Sequence, residues 1–165
     1  MSSLSIEEYL HTSYENPDPE YKDGEIVERS FADNPHSTAM VTVSGIFWDL
    51  RESQSRPFHG RISMRCRVSA TRIRVPDVCG YAGEDPTEPV PSHPPLVAVE
   101  IISDDRYSET MEKLDDYDRW GVRFMWLVVP PLQKLYSYAA GTLTEVPAFE
   151  IPEYDVRITA VDIFG

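Results

Sequence analysis

Leu96-Val97-Ala98-Val99-Glu100-Ile101-Ile102 is the stretch on which the reading of this chain turns. It is apolar at odd and even positions alike, the pattern of a strand buried on both faces at the centre of a sheet. Glu100 breaks that pattern. A carboxylate in such a strand is costly unless it is paired, protonated or bound to a cation. One partner for it is an arginine at the strand end. The other is Asp77, which follows Pro76 at the end of the preceding strand. Two carboxylates at the ends of neighbouring strands, with only oxygen ligands on offer, suit a hard divalent ion such as Mg²⁺ or Mn²⁺. Such an ion activates water and neutralises charge on a phosphoryl oxygen. A soft-metal site is not indicated, because Cys66 and Cys79 lack CxxC spacing and His11, His36, His59 and His93 are scattered.

Upstream of this strand, Ser5-Ile6-Glu7-Glu8 reads as a capping box opening a short helix through Leu10. Asp23-Gly24 is a turn signal, with a strand running on from Glu25. Asn34-Pro35 reads as an N-cap and first helical proline, and Met40, Val43, Ile46, Phe47 and Leu50 recur at helical spacing over about 35–52. Alternation over 61–68 and again over 72–78, turned at 69–71, predicts a hairpin with one arginine-rich face. A surface loop rich in proline and acid covers 83–95. Downstream, a helix is expected over about 108–120 with Gly121 as its C-terminal cap, then strands over 124–129 and 134–138 and a short packed turn at 161–164. Met111, Leu114 and Tyr117 read as a core-facing stripe, and Trp120 and Trp126 as core. The strands 124–129 and 134–138, with Tyr136 and Tyr138, offer an edge or apolar patch to a twin, so a homodimer or higher homo-oligomer is expected.

The 165 residues suit one domain over 1–165 with a core of its own, and their net charge is −13. No apolar run approaches the length of a membrane span, and residues 1–8 lack the basic and apolar segments of a signal peptide. With two cysteines only, a reduced, cytoplasmic protein without membrane association is the expectation. A polyanion would be repelled by such an acidic chain taken as a whole. The charge is uneven, however. Residues 51–74 hold seven arginines against the single acid Glu52, which leaves eight bases and 27 acids elsewhere. Arg61, Arg65, Arg67, Arg72 and Arg74 therefore form either the solvated face of a strand pair or a patch that contacts phosphates.

Taken together, Pro76-Asp77 followed by Glu100 in an apolar strand resembles the active-site signature of the PD-(D/E)XK nuclease superfamily. More narrowly, the chain resembles the Uma-two family of bacterial endonucleases. The likeness lies in Asp23-Gly24-Glu25-Ile26-Val27-Glu28, Arg74-Val75-Pro76-Asp77-Val78, Val99-Glu100-Ile101-Ile102-Ser103, Glu112-Lys113-Leu114-Asp115-Asp116-Tyr117, and Gly121-Val122 before Trp126-Leu127-Val128. The resemblance implies an α/β (α+β) restriction-endonuclease-like core, a mixed central sheet flanked by helices in αβββαβ order. It implies Asp77 and Glu100 as ligands of Mg²⁺ or Mn²⁺, with Glu25 as a further carboxylate of the site. The superfamily places a lysine two residues after the second acid, where this chain has Ile102. Lys113 on the following helix would supply the cation instead, with Arg106 as its substitute. His36, in a His36-Ser37 pair, would contact a phosphate or the attacking water.

Two functions follow. One is a metal-dependent nuclease acting on phosphodiester bonds, DNA first and RNA or a nucleotide second, with the arginine stretch holding the backbone. The other is a catalytically weak or inactive nuclease-fold module that binds nucleic acid or protein, as Ile102 and the acidic remainder suggest.

Overall fold

Residues 3–53, 56–102 and 106–165 are described by the computed structural model of the chain. Ser103, at the end of the third motif, lies outside them. The capping box forms: Ser5 accepts from the Glu8 backbone N–H, and the Glu8 carboxylate takes the Ser5 N–H at 2.8 Å, opening α1 (Ile6–Leu10). β1 (Glu20–Lys22) and β2 (Glu25–Val27) are joined by Asp23 and Gly24. Their φ values of 51° and 98° make the two-residue turn whose twist matches the flanking strands. α2 (Asn34–Ser53) begins one residue earlier than its pattern suggests. Its cap is Asp33, whose carboxylate accepts the His36 N–H at 2.9 Å, so Asn34 is already helical.

The expected arginine-rich hairpin is divided between two sheets. β3 (Phe58–Ile62) pairs with β6 (Val78–Ala82), whereas β4 (Cys66–Ser69) and β5 (Arg72–Arg74) make the hairpin proper. Ser63, at a left-handed φ of 46°, turns the chain out of the first sheet. Pro76, with no N–H to donate, separates β5 from β6. Then come β7 (Val97–Ile101), α3 (Tyr107–Trp120) and β8 (Phe124–Val129). Gly121, at φ 108°, closes α3 in the left-handed conformation a helix end requires. β9 (Lys134–Ala139), β10 (Thr142–Val146), β11 (Ala148–Ile151), β12 (Val156–Thr159) and α4 (Ala160–Phe164) complete the chain.

The larger sheet has the order β10-β9-β8-β7-β6-β3 and is mixed, β7 and β8 running parallel and its other pairs antiparallel. The smaller sheet is β2-β1-β5-β4, and β11 with β12 forms a separate ribbon. β8 thus lies between β7 and β9, and β10 covers the outer edge of β9. The two strands expected to offer an edge to a twin are interior.

Side-chain alternation along β7 sorts the core. Val97, Val99 and Ile101 point to the α2 side, with Val43, Phe47, Trp126 and Phe149; Ala98 points to the α3 side, with Leu114, Tyr117, Met125 and Cys66. Trp126 stacks on Phe149 with ring centroids 4.5 Å apart, an arrangement worth about 1 kcal/mol beyond the area it buries. Trp126 is core as expected. Trp120 is only partly buried and donates its indole N–H to the Ser92 carbonyl at 3.0 Å. The same alternation aims Glu100 at α3, towards the seam where the two sheets meet.

Candidate active site

β6 and β7 pair antiparallel with Val78 opposite Val99, so continuing that register by one step sets Asp77 opposite Glu100. Asp77 sits in the link between the sheets and is fixed there by three donors. Its Oδ2 accepts the Ile101 N–H at 2.8 Å, while Oδ1 faces the Arg29 guanidinium at 3.2 Å and the His36 Nε2 at 3.3 Å. Glu100 is held from α3. Lys113 and Tyr117, one helical turn apart, present their polar ends to the same carboxylate. The Lys113 Nζ lies 2.9 Å from Oε1 and 3.0 Å from Oε2, and the Tyr117 hydroxyl donates to Oε1 at 2.6 Å. Lys113 also reaches Glu20 at 2.8 Å and the Val75 carbonyl at 3.3 Å.

Glu20 is the residue that sequence reasoning missed. It is 1% exposed, accepts the Val75 N–H at 2.8 Å and lies 3.2 Å from Arg74. Glu25, the further carboxylate expected, is exposed and does not line the cleft. The turn at 23–24 explains the exchange. It pairs Lys22 with Glu25 and Glu20 with Val27, so Glu20 and Glu25 share one face of the ribbon. Glu20 stands on the inner strand, beside β5; Glu25 stands on the outer strand at the turn end. A two-residue hairpin register read from Asp23-Gly24 was the available signal.

The charge states follow from burial and these contacts. Burial pushes the Glu100 carboxyl up, with the charges of Asp77 and Glu20 adding to it against the pull of Lys113, to a pKa of about 7. Burial also opposes ionisation of Asp77, yet the His36 hydrogen bond and the Lys113, His36 and Arg29 cations hold it below the ordinary carboxylate value. Burial likewise opposes a charge on Glu20, which Lys113 and Arg74 nevertheless hold low. The reverse applies to the bases. Lys113 is raised by Glu100 and Glu20, and His36 by its hydrogen bond to Asp77, each in spite of burial. Tyr117, read from the sequence as core, is buried as expected, and its hydroxyl also serves the site.

Glu20, Arg29, His36, Asp77, Glu100 and Lys113 line one open cleft, with Arg106 at its rim donating to the Glu28 carbonyl. The structure therefore brings together Asp77, Glu100, Lys113 and His36 and leaves Glu25 outside. Ile102 is buried, and Lys113 reaches Glu100 from α3. Among the described residues, no three His, Cys, Asp or Glu side chains form a group arranged to hold a metal ion.

The arginines are not a patch. Arg74 has no exposed surface; it pairs with Asp116 and Glu109, each at 2.7 Å, and with Glu20. Arg72 bridges Asp23 and Asp116, both at 2.8 Å. Arg65 clamps Asp18 through two nitrogens at 2.6 and 2.7 Å and lies over the Tyr9 ring. Arg61 pairs with Asp85, and Arg67 faces Glu7 at 3.9 Å. Charges absent from the local sequence arrive from other elements. Cys66 and Cys79 are both buried and free, and among the described residues no helix is long and apolar enough to cross a membrane.

The mixed sheet with its flanking helices is a nuclease-like fold. A crystal structure of a "putative nuclease belonging to DUF820" from Anabaena variabilis shares it, with a TM-score of 0.82 at 18% identity over 98% of this chain and 97% of that one. The chain belongs to the Uma2 family, whose model, described as "putative restriction endonuclease", matches residues 6–157. Among curated proteins, nothing matches.

Proposed function

We propose that this chain is a Mg²⁺- or Mn²⁺-dependent nuclease that hydrolyses phosphodiester bonds in DNA. The observation that carries the reading is the opposition of Asp77 and Glu100 across β6 and β7, with the Lys113 ammonium 3.0 Å from Glu100. The donor chemistry fits a hard cation. Asp77 and Glu100 offer only carboxylate oxygens, and Mg²⁺ is commonly held by one or two protein carboxylates with water and substrate phosphate completing its shell. The raised Glu100 carboxyl, buried among two other acids, gains most from a nearby positive charge. Bound there, a divalent ion supplies Lewis-acid activation of water and neutralises charge on the phosphoryl oxygens.

The protein groups have separable tasks. Lys113, clasped by Glu20 and Glu100, keeps its proton and offers an N–H to the attacking water or to a phosphoryl oxygen. Glu20, in the cleft wall, and Tyr117, behind it, fix the geometry of that clasp. His36 and Arg29 hold Asp77 ionised and add positive charge to the cleft wall. Arg106 stands at the rim, where a phosphate would enter. Of the arginines expected to hold the DNA backbone, Arg74 is excluded by burial; Arg61 and Arg67, whose side chains are 33% and 35% exposed, remain in reach of it.

The test is plasmid cleavage with Mg²⁺ or Mn²⁺, beside a calorimetric Mn²⁺ titration. Cleavage and Mn²⁺ binding are both expected, and both vanish in Asp77→Ala and Glu100→Ala. Mn²⁺ binding without cleavage of DNA, RNA or nucleotides, or cleavage unaffected by either substitution, overturns the proposal. A site that takes up no Mn²⁺ favours the binding-module reading, which the carboxylate pairing of the surface arginines supports.

A further inference from the structure

Among the described residues three aromatic side chains stand exposed: Phe31 at 76%, Trp48 at 56% and Tyr107 at 55%. A single exposed ring needs no explanation, but two of these three stand beside one cleft. The Arg51 guanidinium covers the Trp48 ring, 4.7 Å from its centroid. Phe31 and Tyr107 instead follow Ser30 and Arg106, both of which line the cleft. Each ring is thus carried one Cα step, about 3.8 Å, from the cleft lining. They come from different elements, Phe31 from the segment between β2 and α2 and Tyr107 from the first position of α3. The Arg106 guanidinium, donating to the Glu28 carbonyl, ties those two segments together at the rim.

Below these rings the carboxylates are almost closed off, Asp77 being 5% exposed and Glu100 4%. A phosphodiester reaches them only when its backbone bends into the cleft. An unpaired strand bends freely, whereas a duplex is stiff over the length of a small protein. Electrostatics point the same way. A duplex carries one charge per ~1.7 Å and is gripped chiefly by Lys and Arg on its phosphates. This chain has a net charge of −13, and Arg61, Arg65, Arg72 and Arg74 are paired with carboxylates. Little cationic surface is left for that grip. A single strand is bound in another way as well, through stacking of its bases on aromatic faces. In a duplex those base faces are covered by the neighbouring pairs.

We propose that Phe31 and Tyr107 are base-stacking platforms at the mouth of the cleft, and that the substrate is single-stranded DNA. Bases flanking the phosphate in the cleft lie on these rings, while Arg106 meets the backbone at the rim. The assignment rests on the nuclease reading and narrows its substrate. Every base has a π-face, so stacking brings no strong sequence preference. A supercoiled plasmid supplies such a strand where its torsion melts the duplex.

Fluorescence anisotropy of the whole chain with a labelled oligothymidylate of about 12 nucleotides tests this, beside a hairpin duplex of equal length. Ca²⁺ replaces Mg²⁺, so that binding is read without turnover. The single strand should bind tighter than the duplex by roughly tenfold or more, the worth of two stacked bases. Phe31→Ala and Tyr107→Ala should each weaken single-strand binding about fivefold to a hundredfold, with the thermal melt unchanged. Phe31→Trp and Tyr107→Phe, which keep a ring, should retain it. Duplex bound as tightly as single strand, neither bound, or single-strand affinity indifferent to both alanine substitutions overturns the assignment. Cleavage with Mg²⁺ is read separately. Single strands bound through these rings but never cut would sink the nuclease reading and leave the platforms standing. Duplex cut equally well by both alanine variants would sink the platforms and leave the nuclease.

Discussion

Replacing Lys113 by methionine keeps the length of the side chain and removes its charge. In the wild type the ammonium sits 2.8 Å from Glu20 and 2.9 Å from Glu100, and none of the three residues is more than 6% exposed. Without it, Glu20 and Glu100 face each other with no ammonium between them. Removing one partner of a buried ion pair costs about 3–5 kcal/mol, because an uncompensated charge is left behind. For a chain of this length that is a fall of roughly 10 °C in Tm. The cost must also depend on pH. With the cation gone, Glu100, already raised above its ordinary value of 4.5 by burial, binds its proton more tightly still, and Glu20 loses the largest of the charges that hold it low. A folded-state pKa raised above the unfolded one contributes stability that is complete below the unfolded value and is lost as pH rises through the folded one. Lys113→Met should therefore be most destabilised, relative to wild type, at pH 8 and should recover most of the difference by pH 5. Thermal melts by circular dichroism at the two pH values decide it. A loss equal at pH 5 and pH 8, or one below about 1 kcal/mol, would refute the charge argument, since lost packing does not titrate.

The same sign rule applies to the wild type. Glu100 is raised from 4.5 to about 7, so it costs the fold about 3 kcal/mol once pH exceeds 7. Glu100→Gln cannot titrate, and its Tm relative to wild type should improve between pH 5 and pH 8 while Mn²⁺ binding is lost; a difference that is flat with pH counts against the raised carboxyl. In the core, a Cβ on Gly80 would come within 2.7 Å of the Phe58 Cε1 and 3.1 Å of the Val97 Cγ1. Both belong to well-packed strands, so Gly80→Ala should cost about 1–3 kcal/mol in urea unfolding, and a neutral result would mean that β3 is free to shift.

How far the site could be read from the sequence is clearest in its acids. Glu100 was legible because a carboxylate in an otherwise apolar strand needs an explanation, and Asp77 because it follows a proline at a strand end. Lys113 followed once Ile102 stood where a lysine was sought. Glu20 was not legible in the same way. It lies in a short polar segment without a burial pattern, and it is drawn into the core by Arg74 and Lys113, each more than 50 residues away along the chain. The arginines went the other way. Seven of them in 24 residues make a basic stretch in one dimension, but Asp18, Asp23, Asp85 and Asp116 close on four of them from the segment before β1, the β1–β2 turn, a loop and α3.

By itself, the sequence determined the helices α1, α2 and α3, the strands near 124–129 and 134–138, the central strand with its misplaced acid, the caps of α1 and α3 and the family. Those rest on local physics: side-chain periodicity, backbone conformation and the cost of a charge among apolar neighbours. Only the tertiary structure decided that β3 and β4 belong to different sheets, that Glu20 rather than Glu25 lines the cleft, and that Arg61, Arg65, Arg72 and Arg74 meet acids where they stand. Those depend on which distant residues share a register or a seam. Charges a few ångströms apart in space interact strongly whatever their separation along the chain, and composition carries no record of that distance.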